Sequence, residues 1–212
     1  TEAVNAYKKW MGLYLDGCAP KDAINWGFVE MVDNFTGGLT GTLINDSEVA
    51  ATCLEHMTDD QWMVMPMPRS DKDGKIYNTV NSPYAYSISS SSKNKDAAWY
   101  FLQYFTSPEF MLFSGTEAAC ADSPRASVAE SDAYKSIVGK SIGYLEALDV
   151  LLPNATIQFT PQPYFFETTT EWAATLQDLV EEYRRNGSCD TAAAMKALKT
   201  KLDLAVSDIV IE

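Results

Sequence analysis

The chain has 212 residues, 46% of them apolar, with 29 acidic against 16 basic side chains and a net charge of −13. That length supports one large domain or two small ones with a genuine core. The acidic balance argues against nucleic acid, whose phosphates need clustered Lys and Arg, and no run of about 18 apolar residues is present to span a bilayer. Cys18, Cys53, Cys120 and Cys189 lie far apart with no CxxC pair, which argues against a zinc or thioredoxin-type site. Their even number permits two disulfides, and scattered free thiols fit as well.

In chain order, Thr1 to Asp16 reads as a helix because Val4, Tyr7, Trp10 or Met11, and Tyr14 recur at helical spacing, with Gly17 as the stop. Asn25 to Phe35 carries a second, less regular apolar pattern. "FTGGLTGTLIND" predicts a tight turn into a short strand over Thr40 to Ile44. Ser47 has the chemistry of a helix cap before "EVAATCLEHM". Asp73-Gly74 is a hairpin signal, and "TVNSPYAYSIS" alternates as a strand does. Ser92 reads as the cap of a helix that places Ala98, Phe101, Leu102 and Phe105 on one face. Ser107-Pro108-Glu109 starts another: a cap, a proline in the first turn, then an acid. Lys135 to Leu152 is mixed and part helical, and "PNATIQFTPQPYFF" is extended and broken by prolines. Thr168 to Arg185 is helical up to Asn186-Gly187. Asp190 caps a last helix with a seam of Met195, Leu198, Leu202, Ala205 and Ile209.

The catalytic patterns are weak. Ser90-Ser91-Ser92-Lys93 fits S-x-x-K, but no S-D-N or K-T-G accompanies it. "DKDG" at Asp71 to Gly74 resembles part of a calcium loop, yet Arg69 stands where the first carboxylate ligand belongs. His56 is the single histidine and has no evident relay partners. Carboxylates are numerous, so a hydrolase using two of them stays open as an alternative, as does a helical interaction module. Trp26, Tyr84, Tyr86, Tyr164, Phe165, Phe166 and Trp172 cluster near loops and helix starts. Aromatic faces stack on sugar rings, although core packing accounts for any single one of them more simply.

Six segments, in order, carry a resemblance. "AVNAYKKWMGLYLDG" is similar to A-x-x-A-x-x-x-x-x-x-L-Y-x-x-G, "FTGGLTGTLIND" to F-x-x-G-x-x-A-M-x-I-x-G, and "MVMPMPRSDKDGK" to P-x-P-x-x-x-x-G-K. "YSISSSSKNKDAAWYFLQYFTSPE" is very close to I-S-x-x-S-K-N-K-E-A-A-W-x-F-L-x-F-x-T-S-P-E. "SPRASV" and "NGSCDTAAAMKALKTKLD" follow in the same order. Together they resemble the bacterial extracellular solute-binding proteins of sugar-uptake ABC transporters (family 1, the maltose-binding-protein-like group). The most specific of the six is the stretch from Ser92 to Glu109.

The resemblance implies an α/β fold of the type II periplasmic-binding-protein kind, here incomplete, helix-rich and with short mixed-sheet strands. It places the start of the chain midway through a full member. By analogy, residues 1–80 belong to the carboxy-terminal lobe, 81–130 cross the hinge into the amino-terminal lobe, and 131–212 return. It implies a non-enzymatic protein that captures a carbohydrate for ABC permease subunits. No cofactor or metal is implied, and the membrane is met only through a lipid anchor upstream, as an extracellular lipoprotein or periplasmic protein. An exposed lobe interface invites dimerisation. Glu48 falls where the family commonly has a sugar-stacking Trp, so Asp46 or Glu48 is expected to accept hydrogen bonds from hydroxyls instead. Asn81 and Tyr84 stand in the crossing before the I-S strand. Arg125 is the Arg of P-x-R-x-S-V, and Tyr164, Phe165 and Phe166 precede a helix that faces the cleft in relatives. These eight are the candidate ligand-binding residues.

Overall fold

The computed structural model of the protein describes residues 2–80, 85–118, 122–157 and 165–207. The helices and strands in chain order are α1 (Glu2–Leu15), α2 (Phe28–Thr36), α3 (Val49–His56), β1 (Asn78–Val80), α4 (Lys95–Phe105), α5 (Pro108–Phe113), α6 (Ala126–Ala129), α7 (Asp132–Val138), α8 (Tyr144–Leu151), β2 (Ala155–Ile157), α9 (Phe165–Asn186) and α10 (Thr191–Ser207). They group into two compact units, one of residues 1–43 with 160–212 and one of residues 44–159.

The first unit is built on α1, α9 and α10. Tyr7 and Met11 from α1, Ile24 from a short 3-10 turn, Leu179 and Val180 from α9 and Leu198 from α10 form its buried core. Each helix begins or ends where the sequence chemistry requires. The Asp190 carboxylate accepts from the Ala193 N–H at 2.9 Å at the start of α10, and Gly187 takes the left-handed conformation after α9. Polar ties reinforce the packing: the Tyr7 hydroxyl donates to the Trp172 carbonyl at 2.9 Å, and Gln177 donates to the Ile24 carbonyl at 3.2 Å. The expected seam of α10 is realised at Leu198, flanked by Met195 and Leu202. Ala205 is exposed, and Ile209 lies outside the described residues.

The second unit holds α3 to α8 and the two strands. Its buried residues include Val49, Ala50, Cys53, Trp62, Val128, Tyr134, Val138, Tyr144 and Ala147. The Ser107 hydroxyl caps α5, accepting from the Phe110 N–H at 3.2 Å, and Ser131 caps α7 in the same way through Tyr134 N–H at 3.2 Å. Such caps contribute about 1 kcal/mol each. Gly143 precedes α8 with φ +79°, and a β-carbon there would lie 2.2 Å from the Val64 carbonyl oxygen. Only glycine permits this approach, which the Val64 N–H to Ile142 carbonyl bond of 2.8 Å holds in place.

The expected α/β periplasmic-binding-protein fold is overturned. Among the described residues, the strands amount to one parallel pair of three residues each, in register Asn78 to Ala155, Thr79 to Thr156 and Val80 to Ile157. A lobe of that family would need a mixed sheet, whereas helices dominate here. The predicted strand Thr40 to Ile44 is irregular backbone. Its β-branched residues suit a strand, but β propensity expresses fit to a neighbouring strand rather than an intrinsic backbone preference. The "TVNSPYAYSIS" strand is realised at Thr79 and Val80; 81–84 lie outside the described residues and 85–89 are irregular.

Two helix starts also differ from expectation. Helix α4 begins at Lys95 after Asn94, and Ser92 instead accepts from the Asn94 N–H at 3.2 Å in a turn before it. Helix α3 begins at Val49 after Glu48, with no side-chain cap. Cys18, Cys53 and Cys189 are free thiols, and Cys120 is outside the described residues. The Asp73-Gly74 turn is as expected: Gly74 has φ +70°, and Arg69 bridges Ile76 in antiparallel fashion across it.

Candidate functional site

An acidic and tyrosine-rich rim in the second unit forms around the start of α3. Asp46, Ser47 and Glu48 occupy the turn that leads into that helix. The Ser47 hydroxyl hydrogen-bonds to the Tyr144 oxygen. Tyr144, at the start of α8, donates to Asp122 Oδ1 at 2.9 Å. Tyr134, on α7, donates to the same oxygen at 3.0 Å. One carboxylate oxygen thus gathers two phenols from two helices. Ser141, three residues before Tyr144, is 3% exposed and its Oγ has no hydrogen-bond partner among the described residues.

The electrostatics follow from this geometry. Burial pushes the Tyr144 phenol far above its ordinary value, and the Asp122 charge and neighbouring Tyr134 add to the shift. The phenol therefore stays protonated and serves as a donor. Glu48 is exposed, yet it loses part of its hydration against the protein surface. That loss, followed by repulsion from Asp46, raises its carboxyl above the usual range. Two close carboxylates offer acceptor capacity to hydroxyl groups.

Of the eight expected ligand residues, Asp46 and Glu48 come together at this rim. Arg125 is exposed, and its Nε donates to the Thr106 carbonyl at the C-terminal end of α4. That pairing suits a cation at a helix C-terminus. Asn81, Tyr84 and Tyr164 lie outside the described residues. Phe165 and Phe166 form the first residues of α9, in the first unit.

Sequence reasoning missed Ser47 as a Tyr144 partner, and it missed Asp122, Tyr134 and Tyr144 altogether. Asp122 is 12 residues from Tyr134 and 22 from Tyr144, separations that no helical or strand period connects. The legible signals were local: the Ser131-Asp132 start of α7 and the glycine before α8.

The S-x-x-K pattern has a structural explanation in this chain. Ser89 and Ser91 hydroxyls are 2.8 Å apart, Ser89 also accepts from the Ser91 N–H, and Ser92 accepts from Asn94. The serines close turns ahead of α4. His56 has an exposed side chain, with Glu55 4.0 Å away. Among the described residues, no group of three or more His, Cys, Asp or Glu side chains is placed to hold a metal ion, and no helix is long and apolar enough to cross a membrane.

No family model matches the chain, and no solved structure matches it. The chain is 34% identical over 122 residues to the erythritol/L-threitol-binding protein of Mycolicibacterium smegmatis. That stretch is 58% of this chain and 24% of the relative, so the match spans about a quarter of the length of the curated relative. The relative is named as a binding protein, which fits the expectation of a non-catalytic chain. The chain is thus similar, over more than half its length, to a protein named for binding erythritol and L-threitol.

Proposed function

We propose that this chain belongs to a solute-capture protein that binds a small polyol or sugar and delivers it to the permease subunits of an ABC importer. The observation that carries the reading is the 34% identity to an erythritol/L-threitol-binding protein. The rim chemistry is in accord with it. Short polyols present hydroxyl donors, and the Asp46 and Glu48 carboxylates can accept from them. Asn81, Tyr84, Arg125, Tyr164, Phe165 and Phe166 stay candidate ligand residues on the sequence resemblance alone. An extracellular or periplasmic location, with lipid anchoring outside this stretch of chain, belongs to the same proposal.

Calorimetry of the full-length protein against linear polyols, monosaccharides and oligosaccharides tests this reading. Binding of a four-carbon polyol or a sugar is the expected result. Asp46→Asn combined with Glu48→Gln is expected to weaken it about tenfold, the scale of one or two lost charge-assisted hydrogen bonds. Tight binding of a different solute class, with none to any polyhydroxylated compound, would overturn the reading.

A further inference from the structure

Ser47 has the chemistry of a helix cap and stands just before α3, yet it does not cap that helix. Helix α3 begins at Val49 with no side-chain hydrogen bond at its start. The Ser47 hydroxyl is engaged elsewhere. The Tyr144 O–H donates to Asp122 Oδ1 at 2.9 Å, so its oxygen is the acceptor for the Ser47 hydroxyl. A serine that would ordinarily satisfy the first N–H groups of its own helix is bound instead to the start of α8.

The partner at that end is fixed. Tyr144 is 3% exposed and Tyr134 2%, and both donate to the same oxygen of Asp122, at 2.9 and 3.0 Å. Tyr134 belongs to α7 and Tyr144 to α8. The phenol that receives Ser47 is therefore a packed ring on one helix, sharing a carboxylate with a packed ring on another. Packing restricts the rotamers of such rings, and linked hydrogen bonds polarise one another.

The turn at the other end is weakly secured by its own backbone. Ser47 is half-buried between two exposed acids, Asp46 and Glu48. The Val49 N–H lies 3.4 Å from the Asp46 carbonyl, and the Ala50 N–H lies 3.1 Å from the Ser47 carbonyl. The first of these is longer than an ordinary N–H to carbonyl bond. Val49 and Ala50 are buried, so packing pins the chain only after the two carboxylates have passed.

We infer that Ser47 and Tyr144 are positioning residues for the Asp46–Glu48 rim: their hydrogen bond fixes the backbone between the two acids, so that both carboxylates are set before a ligand arrives. The inference rests on the reading of this rim as a site of solute capture. Asp46 and Glu48 repel each other, and an untethered turn relieves that repulsion by letting them move apart. The tie at the residue between them opposes that movement. Acceptors held in place in advance lower the ordering cost of binding.

Amide hydrogen exchange of the full-length protein without ligand, read by mass spectrometry over residues 46–53, tests the tie directly. Ser47→Ala and Tyr144→Phe should each accelerate exchange there at least ~3-fold. Ser47→Thr keeps the hydroxyl and should stay near the unsubstituted rate. Ser107→Ala removes the cap of α5 in the same unit and controls for a general loss of stability; it should leave this segment unchanged. Calorimetry with erythritol reads the consequence: Ser47→Ala should weaken binding by ~3- to 10-fold, and Ser47→Thr should restore it. Unchanged exchange in Ser47→Ala, or an acceleration that Ser107→Ala or Ser47→Thr reproduces, overturns the inference. So does an erythritol affinity that Ser47→Ala leaves unaltered. The two readings fail separately, because an unsubstituted protein that binds no polyhydroxylated compound overturns the solute reading alone, while exchange in the ligand-free protein decides the tie.

Discussion

Helices α1 and α4 carry similar aromatic and aliphatic stripes and meet opposite fates. In the first unit, Tyr7 and Met11 of α1 disappear against Leu179, Val180 and Leu198. In the second, Phe101 and Tyr104 of α4 stay largely open. Periodicity reports which side chains favour burial, because transfer from water is worth about 25 cal/mol per Å² wherever it occurs. It does not report whether a neighbouring element exists to receive them. Two helices read alike from sequence can therefore contribute very differently to stability.

Substitutions sharpen this contrast, beginning with the largest effect. Leu179→Ala, at a site 2% exposed, should cost about 3–4 kcal/mol in denaturant unfolding, through lost transfer energy and a residual cavity. Phe101→Ala, at a position 59% exposed, should change stability by less than about 0.5 kcal/mol. Comparable losses at the two sites would break the comparison. Gly143→Ala should cost about 3 kcal/mol, because the new methyl strikes the Val64 carbonyl and the backbone takes a left-handed conformation. It would show that the second unit has a tightly determined interior despite its bare helix.

Smaller effects concern the titrating groups. Tyr144→Phe should cost about 1–2 kcal/mol, through the lost bonds to Asp122 and Ser47. The phenol also sets an alkaline limit. A folded value raised above the unfolded one means stability that is complete below about pH 10 and lost as pH rises beyond it. Tyr7, pushed up to about 12 by burial, adds the same sign of dependence in the first unit. Fluorescence-detected unfolding above about pH 10 should therefore show a falling stability that Tyr144→Phe and Tyr7→Phe each make shallower. The smallest effect is at Glu48. Its raised value means that it favours folding below its unfolded value near 4.3 and loses that contribution as pH climbs through the folded value. Glu48→Gln should thus be slightly stabilising at pH 7, by under about 0.5 kcal/mol given solvent screening, and neutral near pH 4. A pH-independent effect would remove the repulsion argument for the rim.

Half of the rim was legible in the chain and half was not. Asp46 and Glu48 sit two residues apart in a turn, so their proximity follows from covalent connection and the sequence exposes it. The gathering of Tyr134 and Tyr144 on Asp122 depends on how α7 and α8 fold back, and no local pattern encodes that return. Arg125 illustrates a different limit. Its position after "SP" marks it as a polar contact, but whether a guanidinium meets a solute or a helix end depends on what lies beside it. Here it meets the carbonyl of Thr106.

The sequence by itself determined most helices, because local chemistry is sufficient for them. The caps at Ser107 and Asp190, the stops at Gly17 and Gly187, and the apolar spacing of α1, α9 and α10 are all written within a few residues. The tertiary structure alone decided the strands, the burial of each stripe and the tyrosine cluster. A strand requires a distant partner for its backbone hydrogen bonds, and Thr40 to Ile44 has no ladder while Asn78 to Val80 pairs with Ala155 to Ile157. A buried face likewise requires a surface to meet. Those are properties of chain segments far apart in sequence, which is why an α/β expectation gave way to a helical protein with a single short parallel pair among its described residues.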